Sequence, residues 1–295
     1  MSLPLTANSC IVCNESQYHY FSYSGYQYYR CGVCGHVSTL PLPEEAEIEK
    51  HYKNKFENGN YSLLLEYKDD YSVVYLDFIK AIDSQLEKAG QTLQGKKVLD
   101  IGCFTGDLLC LMQQRGADVY GLELQPEAVE LANEVLPGRV YRADVYGNTF
   151  PQLPFDIITF TGLIEHLVDP IKLVKRVYEL LNPGGLILLQ TPNSGSLPAL
   201  LLQKYWPPYA PVEHIHLFSE KSIRITLGKN GFRDIVYKRH WKKLPITYVY
   251  RMLQNFGPEF KKMLNPFYNI CPSRIREMSL SFYAGEMVVT ARKPD

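Results

Sequence analysis

The stretch from Val98 to Gly106, which reads Val-Leu-Asp-Ile-Gly-Cys-Phe-Thr-Gly, constrains the fold of this chain most strongly. A short apolar run reaches Asp100, a glycine-spaced turn follows, and an amphipathic run begins near Asp107. Gly102 allows backbone to come close to a ligand, and Gly106 permits tight packing of the element that follows. The pattern predicts a buried parallel strand that passes into a helix at the edge of a ligand crevice.

A second acid follows the next predicted strand. The strand runs from Asp118 to Leu122, and Glu123 ends it. A carboxylate at this place can accept hydrogen bonds from both hydroxyls of a ribose. A glycine turn alone is a weak signal. The turn and the acid together predict a nucleoside site at the carboxyl ends of the first two core strands.

From Lys96 onward, apolar strands alternate with amphipathic helices. This alternation predicts an α/β fold, in which a doubly wound parallel sheet is covered by helices on both faces. Strands are predicted at 97–101, 118–122, 139–141, 155–160, 186–190, 232–237 and 286–291. Helices are predicted at 66–89, 107–115, 126–136, 170–181 and 220–230.

Composition and charge narrow the possible functions. The 295 residues suit one large domain with a small appendage, and 31 lysines and arginines balance 31 acids. The chain therefore has no net charge that would attract it to nucleic acid or to an anionic membrane. No apolar run approaches the length of a bilayer span, and the N-terminus does not resemble a secretion signal, so we expect a cytoplasmic protein.

Four cysteines near the N-terminus form two Cys-x-x-Cys pairs, Cys10 with Cys13 and Cys31 with Cys34. Each pair can offer two thiolates to one tetrahedral zinc ion. A site closed by four sulfur ligands is structural and not catalytic. The spacing predicts a zinc-ribbon-like module, since a segment this small cannot build its own core.

Three regions are expected along the chain. The zinc-ribbon-like module occupies residues 1–42, and a helical cap over 43–94 leads into the core. The main domain occupies 95–295 and carries substrate-side insertions at 193–220 and 241–280. Within the cap, Tyr67, Tyr71 and Tyr75 lie on one helical stripe, which is typical of a core.

Several motifs carry a family resemblance. Phe155–Ile158, Glu165–Pro170 and Leu181–Gly185 follow the glycine turn and Glu123 in the order found in class I S-adenosylmethionine-dependent methyltransferases. Over roughly residues 60–240 the chain resembles this family, and within it the quinone O-methyltransferases and the sugar C-methyltransferases. The resemblance implies a seven-stranded, mostly parallel, Rossmann-like sheet. The sugar enzymes are also similar in an N-terminal four-cysteine zinc module and in a segment like Glu213–Ser219.

The resemblance implies S-adenosylmethionine as the cofactor and assigns its parts to residues of this chain. Asp100 and Gly102 would lie near the methionine end, where a carboxylate and backbone carbonyls suit an ammonium and a sulfonium. Phe104 and Gly106 would complete the turn, although the family often has glycine where this chain has Phe104. Glu123 would bind the ribose hydroxyls.

The adenine would lie further along the same edge of the sheet. Leu124 would flank the ring, Asp144 would accept from its amino group, and Val145 would pack beside it. In similar enzymes the region before the first strand covers the cofactor, so Tyr61 or Tyr71 is expected to contact it. The alternative is that Glu123 and Asp144 are ordinary polar strand ends. A nicotinamide cofactor would use a similar turn, but the later motifs favour methyl transfer.

His166 is the leading candidate for a general base, because an imidazole titrates in the useful range and this one follows the fourth strand. Glu165 could orient His166 or act as the base itself. Alternatively, His166 caps the turn before Pro170. His214 and His216 would share one face of an extended segment, line the substrate pocket and stabilise an oxyanion. Structural roles, or a metal site with Glu213, are the alternatives.

The sequence therefore predicts S-adenosylmethionine-dependent methyl transfer to an oxygen or carbon of a small molecule, such as a sugar or another secondary or cell-surface metabolite. The main alternative is an RNA methyltransferase that grips nucleic acid with the zinc ribbon. The neutral charge disfavours it, and so does the sparse basic character of the ribbon, where Arg30 and His36 are the cationic candidates near the cysteines. A cofactor-binding scaffold without activity is the third possibility.

Overall fold

The computed structural model describes residues 9–44, 46–48, 50–51, 68–151, 153–254, 262, 265–266 and 268–295. Its strands form a four-stranded sheet and a seven-stranded sheet. The strands are β1 Gln17–Tyr23, β2 Tyr26–Cys31, β3 Val37–Leu40, β4 Lys97–Ile101, β5 Asp118–Glu123, β6 Val140–Arg142, β7 Phe155–Thr161, β8 Leu181–Pro192, β9 His216–Leu217, β10 Arg233–Pro245 and β11 Ser279–Arg292.

The five predicted helices follow their predicted bounds within two residues, and three further helices at 197–202, 246–254 and 273–276 were not predicted. Pro126 and Pro170 each begin a helix, at the position where the missing N–H costs no hydrogen bond. The helices are α1 Lys68–Glu87, α2 Asp107–Gln113, α3 Pro126–Val135, α4 Pro170–Leu180, α5 Leu197–Leu202, α6 Glu220–Lys229, α7 Ile246–Gln254 and α8 Ser273–Arg276. Within the described residues, no helix combines the length and the apolar character that a bilayer crossing requires.

The large sheet has the strand order β10-β11-β8-β7-β4-β5-β6. The run from β8 to β6 is parallel, and β11 is antiparallel to both of its neighbours. After β4 the chain moves to β5 and β6 on one side, and it then returns to β7 on the other. This reversal leaves a crevice between the carboxyl ends of β4 and its neighbour β7, which is where such folds bind ligands. The predicted seven-stranded, mostly parallel sheet is confirmed.

Apolar side chains fill both faces of this sheet, as its near-continuous hydrophobic strands require. One face packs against α4 and α6, with Phe155, Phe160 and Phe232 fully buried. The other face packs against α1, α2 and α3, where Ile82 and Leu109 are fully buried. The two packed faces make the carboxyl edge of the sheet a rigid support for the polar groups that project from it.

The four-stranded sheet joins the cysteine segment to the main domain. Its order is β1-β2-β3-β9, so its last strand comes from within 193–220. Ser38 pairs with His216 in this antiparallel contact. Ser194 Oγ donates to the Gly35 carbonyl at 2.9 Å, and Lys229 Nζ donates to the Val12 carbonyl at 2.8 Å. Residues 193–220, expected as a substrate-side insertion, thus also anchor the N-terminal module.

The last two strands are longer than the sequence predicts. β10 continues to Pro245 and β11 begins at Ser279, so both ends of the expected insertion at 241–280 belong to the sheet. Lys242 pairs with Phe282 beyond an irregularity at Trp241. Charged residues of an edge strand and a break in register hide the alternation that marks a strand in sequence.

Candidate active site

Asp100 lies at the carboxyl end of β4 and is almost completely buried. Thr159 on β7 donates a 2.6 Å hydrogen bond from Oγ1 to Asp100 Oδ1. Burial raises the pKa of Asp100 to about 7, and the nearby charge of Glu123 adds to the rise. A cation bound beside this carboxyl would lower its pKa again and stabilise the carboxylate, so the site suits an ammonium or sulfonium group.

The glycine turn follows directly and needs left-handed backbone at three of its residues. Gly102 has φ of 74°, Phe104 of 48° and Gly106 of 77°. A Cβ placed on Gly106 would lie 3.0 Å from Leu136 Cδ1, so glycine lets the start of α2 approach the end of α3. Phe104 adopts the backbone conformation that glycine prefers, and its side chain is half-buried.

Glu123 ends β5, and its side chain is hydrogen-bonded to the backbone of the glycine turn. Its Oε2 accepts from the Phe104 backbone N–H at 3.0 Å. Its Oε1 accepts from the backbone N–H groups of Leu124 at 2.7 Å and Gln125 at 3.0 Å. A carboxylate has about four acceptor positions, so these three bonds leave capacity for one further donor such as a ribose hydroxyl.

The residues predicted to surround the adenine lie after β5 and β6. Leu124 exposes 62% of its surface, Val145 is buried, and Asp144 is exposed. Asp144 Oδ1 accepts from the Tyr146 backbone N–H at 2.9 Å, which orders the loop after β6. The apolar side chain could pack on the face of a purine, and the carboxylate could accept from an amino group at its edge. The assignment of these residues to the adenine stays a prediction.

Tyr75 on α1 is not among the residues that the sequence predicts to contact the cofactor. Burial raises the pKa of its hydroxyl, and the nearby charges of Asp107 and Asp100 add to the rise. Its spacing with Tyr67 and Tyr71 predicts only a core stripe. Tyr61 and Tyr71 are the residues that the sequence predicts to contact the cofactor. Tyr61 and the side chain of Tyr71 both lie outside the part of the chain that the structure describes.

Glu165 lies in a short 3-10 helix that follows β7, at the same edge of the sheet as Asp100. Its side chain is 2% exposed, and Thr191 Oγ1 on β8 donates to its Oε2 at 2.9 Å. Burial raises the pKa of Glu165 to about 8, although the Thr191 hydrogen bond opposes the rise. At neutral pH the buried carboxyl therefore mostly keeps its proton.

His166 and His214 lie next to this carboxyl. Their ring centroids are 4.7 Å apart, and ring nitrogens of both lie within 4.8 Å of a Glu165 carboxyl oxygen. His166 Nδ1 lies 2.8 Å from the Glu213 carbonyl, and His214 Nδ1 lies 2.7 Å from the Pro208 carbonyl. Because a carbonyl only accepts, both Nδ1 atoms carry the proton, and in a neutral ring Nε2 bears the lone pair.

His216 does not share this pocket, so the expectation of one face with His214 is wrong. Its ring is fully buried against His36, with Nδ1 3.3 Å from His36 Nε2, and its own Nε2 donates to the Val168 carbonyl. His214 ends a turn, whereas His216 begins β9, and the change of conformation separates the rings. Burial lowers the pKa of His216 to about 4.

The four cysteines of the N-terminal module converge as their spacing predicts. Cys10 Sγ lies 3.5 Å from Cys34 Sγ, and Cys13 Sγ lies 3.5 Å from Cys31 Sγ. All four sulfur atoms lie within 4.8 Å of one another, and none is in a disulfide. Tetrahedral zinc–thiolate geometry, with bonds of about 2.3 Å, requires sulfur atoms about 3.8 Å apart. The donor set and its spacing fit one zinc ion.

The raised pKa of Glu165 leads to a testable stability difference. Between pH 4.5, its ordinary pKa, and about pH 8, the folded chain holds a proton that the unfolded chain releases. Stability therefore falls as pH rises through this window, by up to about 1.4 kcal/mol per pH unit. Glu165→Gln removes the ionisation, so thermal unfolding should show the variant gaining stability over wild type as pH rises across the window. The exposed Glu179→Gln is the control, and an unchanged difference would refute the prediction.

Comparisons with known proteins agree with this geometry. Residues 75–237, more than half of the chain, match the sequence model of a family described as a methyltransferase domain, and the chain belongs to that family. The magnesium protoporphyrin IX methyltransferase of Synechocystis PCC 6803, solved with bound S-adenosylhomocysteine, is similar in structure, with a TM-score of 0.52 and 17% identity. The match covers 83% of this chain and 99% of that one, and it supports the fold.

Curated relatives share a shorter segment. The chain is 38% identical over 113 residues to the ubiquinone biosynthesis O-methyltransferase of Pseudomonas aeruginosa strain UCBPP-PA14, which is 36% of this chain and 48% of that protein. The protein of that name from Pseudomonas entomophila strain L48 is 35% identical over 109 residues, 35% of this chain and 47% of that protein. The chain thus spans about half the length of the curated relatives it matches.

Proposed function

We propose that this chain transfers the methyl group of S-adenosylmethionine to an oxygen or carbon of a small-molecule acceptor, with His166 as the general base. The observation that carries the proposal is the orientation of His166. Its Nδ1 donates to the Glu213 carbonyl, so Nε2 is the basic nitrogen, held beside Glu165 at the ligand-binding edge of the sheet.

The cofactor crevice supports the proposal through its donor set. Asp100 offers a buried carboxyl whose raised pKa a cationic ligand would lower, and Glu123 retains acceptor capacity for a ribose. A Cβ added to Gly102 would meet nothing closer than Leu163 Cδ1 at 3.6 Å, so backbone is accessible there. When bound, S-adenosylmethionine supplies a methyl group on positively charged sulfur, and the sulfur keeps the electron pair of the broken bond.

The chain's own groups orient the acceptor and move its proton. The acceptor oxygen or carbon loses a proton to His166 Nε2 as it bonds the methyl carbon. The protonated Glu165 carboxyl and the His214 ring flank this point and can hold the acceptor by hydrogen bonds. Orientation of this kind contributes about 7–11 kcal/mol in favourable cases, and a general base adds roughly two to four orders of magnitude in rate.

We also propose that Cys10, Cys13, Cys31 and Cys34 hold one structural zinc ion. The sulfur spacing supports this assignment, and so does the Cys34 backbone N–H, which donates to Cys31 Sγ at 3.4 Å and would stabilise a thiolate there. Arg30, one of two cationic candidates for RNA contact, donates to the Ser194 carbonyl, and the other, His36, is fully buried. The ribbon is therefore better suited to docking on its own domain than to gripping phosphates.

Cofactor binding is the first test of the proposed function. S-adenosylhomocysteine should raise the melting temperature of the wild-type chain, because a ligand held only by the folded state adds about 2.7 kcal/mol at a hundred times its Kd. Asp100→Asn removes the charge that attracts the ammonium group and should weaken binding about ten- to a hundredfold. Asp77→Asn, on the exposed side of α1, should bind as wild type does. A wild-type chain that S-adenosylhomocysteine fails to stabilise would contradict the proposal.

A further inference from the structure

A separate cavity lies beside the last strands of the large sheet. Its volume is about 570 Å³, which is within the range of small-molecule sites. It is open on one side and is lined by the loop after β8, the starts of α5 and α6, and the strands β10 and β11. Its lining includes Asn193, Lys221, Tyr237, Arg239 and Tyr283. None of these residues belongs to the predicted cofactor or base groups.

One wall of the cavity is a hydrogen-bonded polar surface on rigid strands. Asn193 is 5% exposed, and its Nδ2 donates to the Tyr237 hydroxyl at 3.2 Å. Burial raises the pKa of the neighbouring Tyr283, and the Tyr237 hydroxyl adds to the rise, so the two hydroxyls are close together. The Arg239 guanidinium lies over the Tyr283 ring, 5.6 Å from its centroid. The wall therefore presents hydroxyl and guanidinium donors in one place.

The cavity also carries uncompensated positive charge. Arg239 projects from β10 and Lys221 from α6, and both line it. The lining acid, Glu220, is paired with Arg224 at 3.1 Å. In the part of the chain that the structure describes, neither Arg239 nor Lys221 has a carboxylate within ion-pair distance. Two cations facing one cavity from different elements favour an anion with several acceptor oxygens.

The remaining wall is apolar. Leu197 and Leu201 on α5 line the cavity together with Pro198, and the two leucines expose 65% and 73% of their surface. Exposed apolar side chains that cluster next to polar groups are typical of a ligand-binding surface. An anion alone would leave this wall uncovered, whereas an organic anion would contact both walls.

We propose that this cavity binds an organic phosphate monoester, with the phosphate between Arg239 and Lys221 and the apolar body against α5. This inference does not depend on the proposed methyl transfer. The phosphate matches two cations and a set of hydroxyl donors, and the apolar body covers the exposed leucines.

Calorimetric titration with phenyl phosphate tests the proposal directly, with inorganic phosphate as a second probe. Phenyl phosphate should bind at least about tenfold more tightly than inorganic phosphate, because only the ester can reach the apolar wall. Arg239→Gln should weaken phenyl phosphate about tenfold or more, since it removes charge-assisted hydrogen bonds. Tyr283→Phe, which removes one hydroxyl donor, should weaken it by a smaller factor.

Lys238→Gln is the matched control, because Lys238 is an exposed cation on the same strand and its side chain points to the opposite face of the sheet. It should leave the affinity within about twofold of wild type. Absence of saturable binding at roughly millimolar phenyl phosphate would overturn the proposal. Equal losses of phenyl phosphate affinity in Arg239→Gln and Lys238→Gln would also overturn the proposal, since they would indicate unspecific electrostatic attraction. S-adenosylhomocysteine binding is measured separately, so failure here is distinguishable from failure of the proposed function.

Discussion

Replacing His166 with asparagine should lower the rate of methyl transfer by about two to four orders of magnitude while cofactor binding stays unchanged. The asparagine amide can still donate to the Glu213 carbonyl, which now accepts from His166 Nδ1. It cannot accept the acceptor's proton as Nε2 does. The loss should therefore fall on the chemical step. The measurement is transfer of labelled methyl from S-adenosylmethionine to the small-molecule fraction of a cell extract, beside the thermal shift with S-adenosylhomocysteine.

The pH dependence of the rate separates a base from a structural histidine. The wild-type rate should rise as His166 loses its proton, and the residual rate of the asparagine variant should lose this step. His19→Gln, at an exposed ribbon histidine bonded to Ser22, is the matched control and should behave as wild type. Full activity in the His166 variant would remove this residue from the mechanism. A lost thermal shift would assign it to cofactor binding instead.

The sequence predicted the parts of the fold that local pattern determines. The strand ending at Asp100, the left-handed turn at Gly102 and Gly106, and the helices that begin at Pro126 and Pro170 all lie where hydrophobic period and backbone chemistry place them. The convergence of the four cysteines follows equally from their spacing. In each case the determining residues are close in the sequence, so a short window contains the physical cause.

The features that could not be predicted from the sequence depend on contacts between residues that lie far apart in the chain. The pairing of β3 with β9 joins residues far apart in the chain, and it turns His216 away from His214 toward His36. Thr159 and Thr191 support the two buried acids from neighbouring strands, yet nothing in their own surroundings in the sequence marks them. Tyr75 is near Asp107 because α1 packs against α2, a contact that its stripe does not reveal, since the stripe resembles that of any core helix.

The ribbon is hydrogen-bonded to the segment that carries His214, so loss of the proposed zinc ion should impair transfer and leave cofactor binding intact. Thr39 Oγ1 donates to the His214 carbonyl, the Thr39 backbone N–H donates to the Ile215 carbonyl at 3.0 Å, and the Ile215 N–H donates to the Glu165 carbonyl at 2.8 Å. This chain of bonds runs from β3 to the pocket. Asp100 and Glu123 hold the other end of the crevice without it.

Structural zinc typically contributes about 10–16 kcal/mol of apparent binding free energy in small modules, so a ribbon without metal should unfold locally. We expect Cys31→Ser, or wild type treated with a strong chelator, to lose zinc, to show fast hydrogen exchange over β1, β2, β3 and β9, and to transfer methyl at least about tenfold more slowly. The S-adenosylhomocysteine shift should persist. Cys271→Ser, at a cysteine far from the other thiols in sequence, should keep its metal and its rate. Wild type purified without chelator and free of zinc would refute the metal assignment, and full activity in the unfolded-ribbon state would refute its link to the pocket.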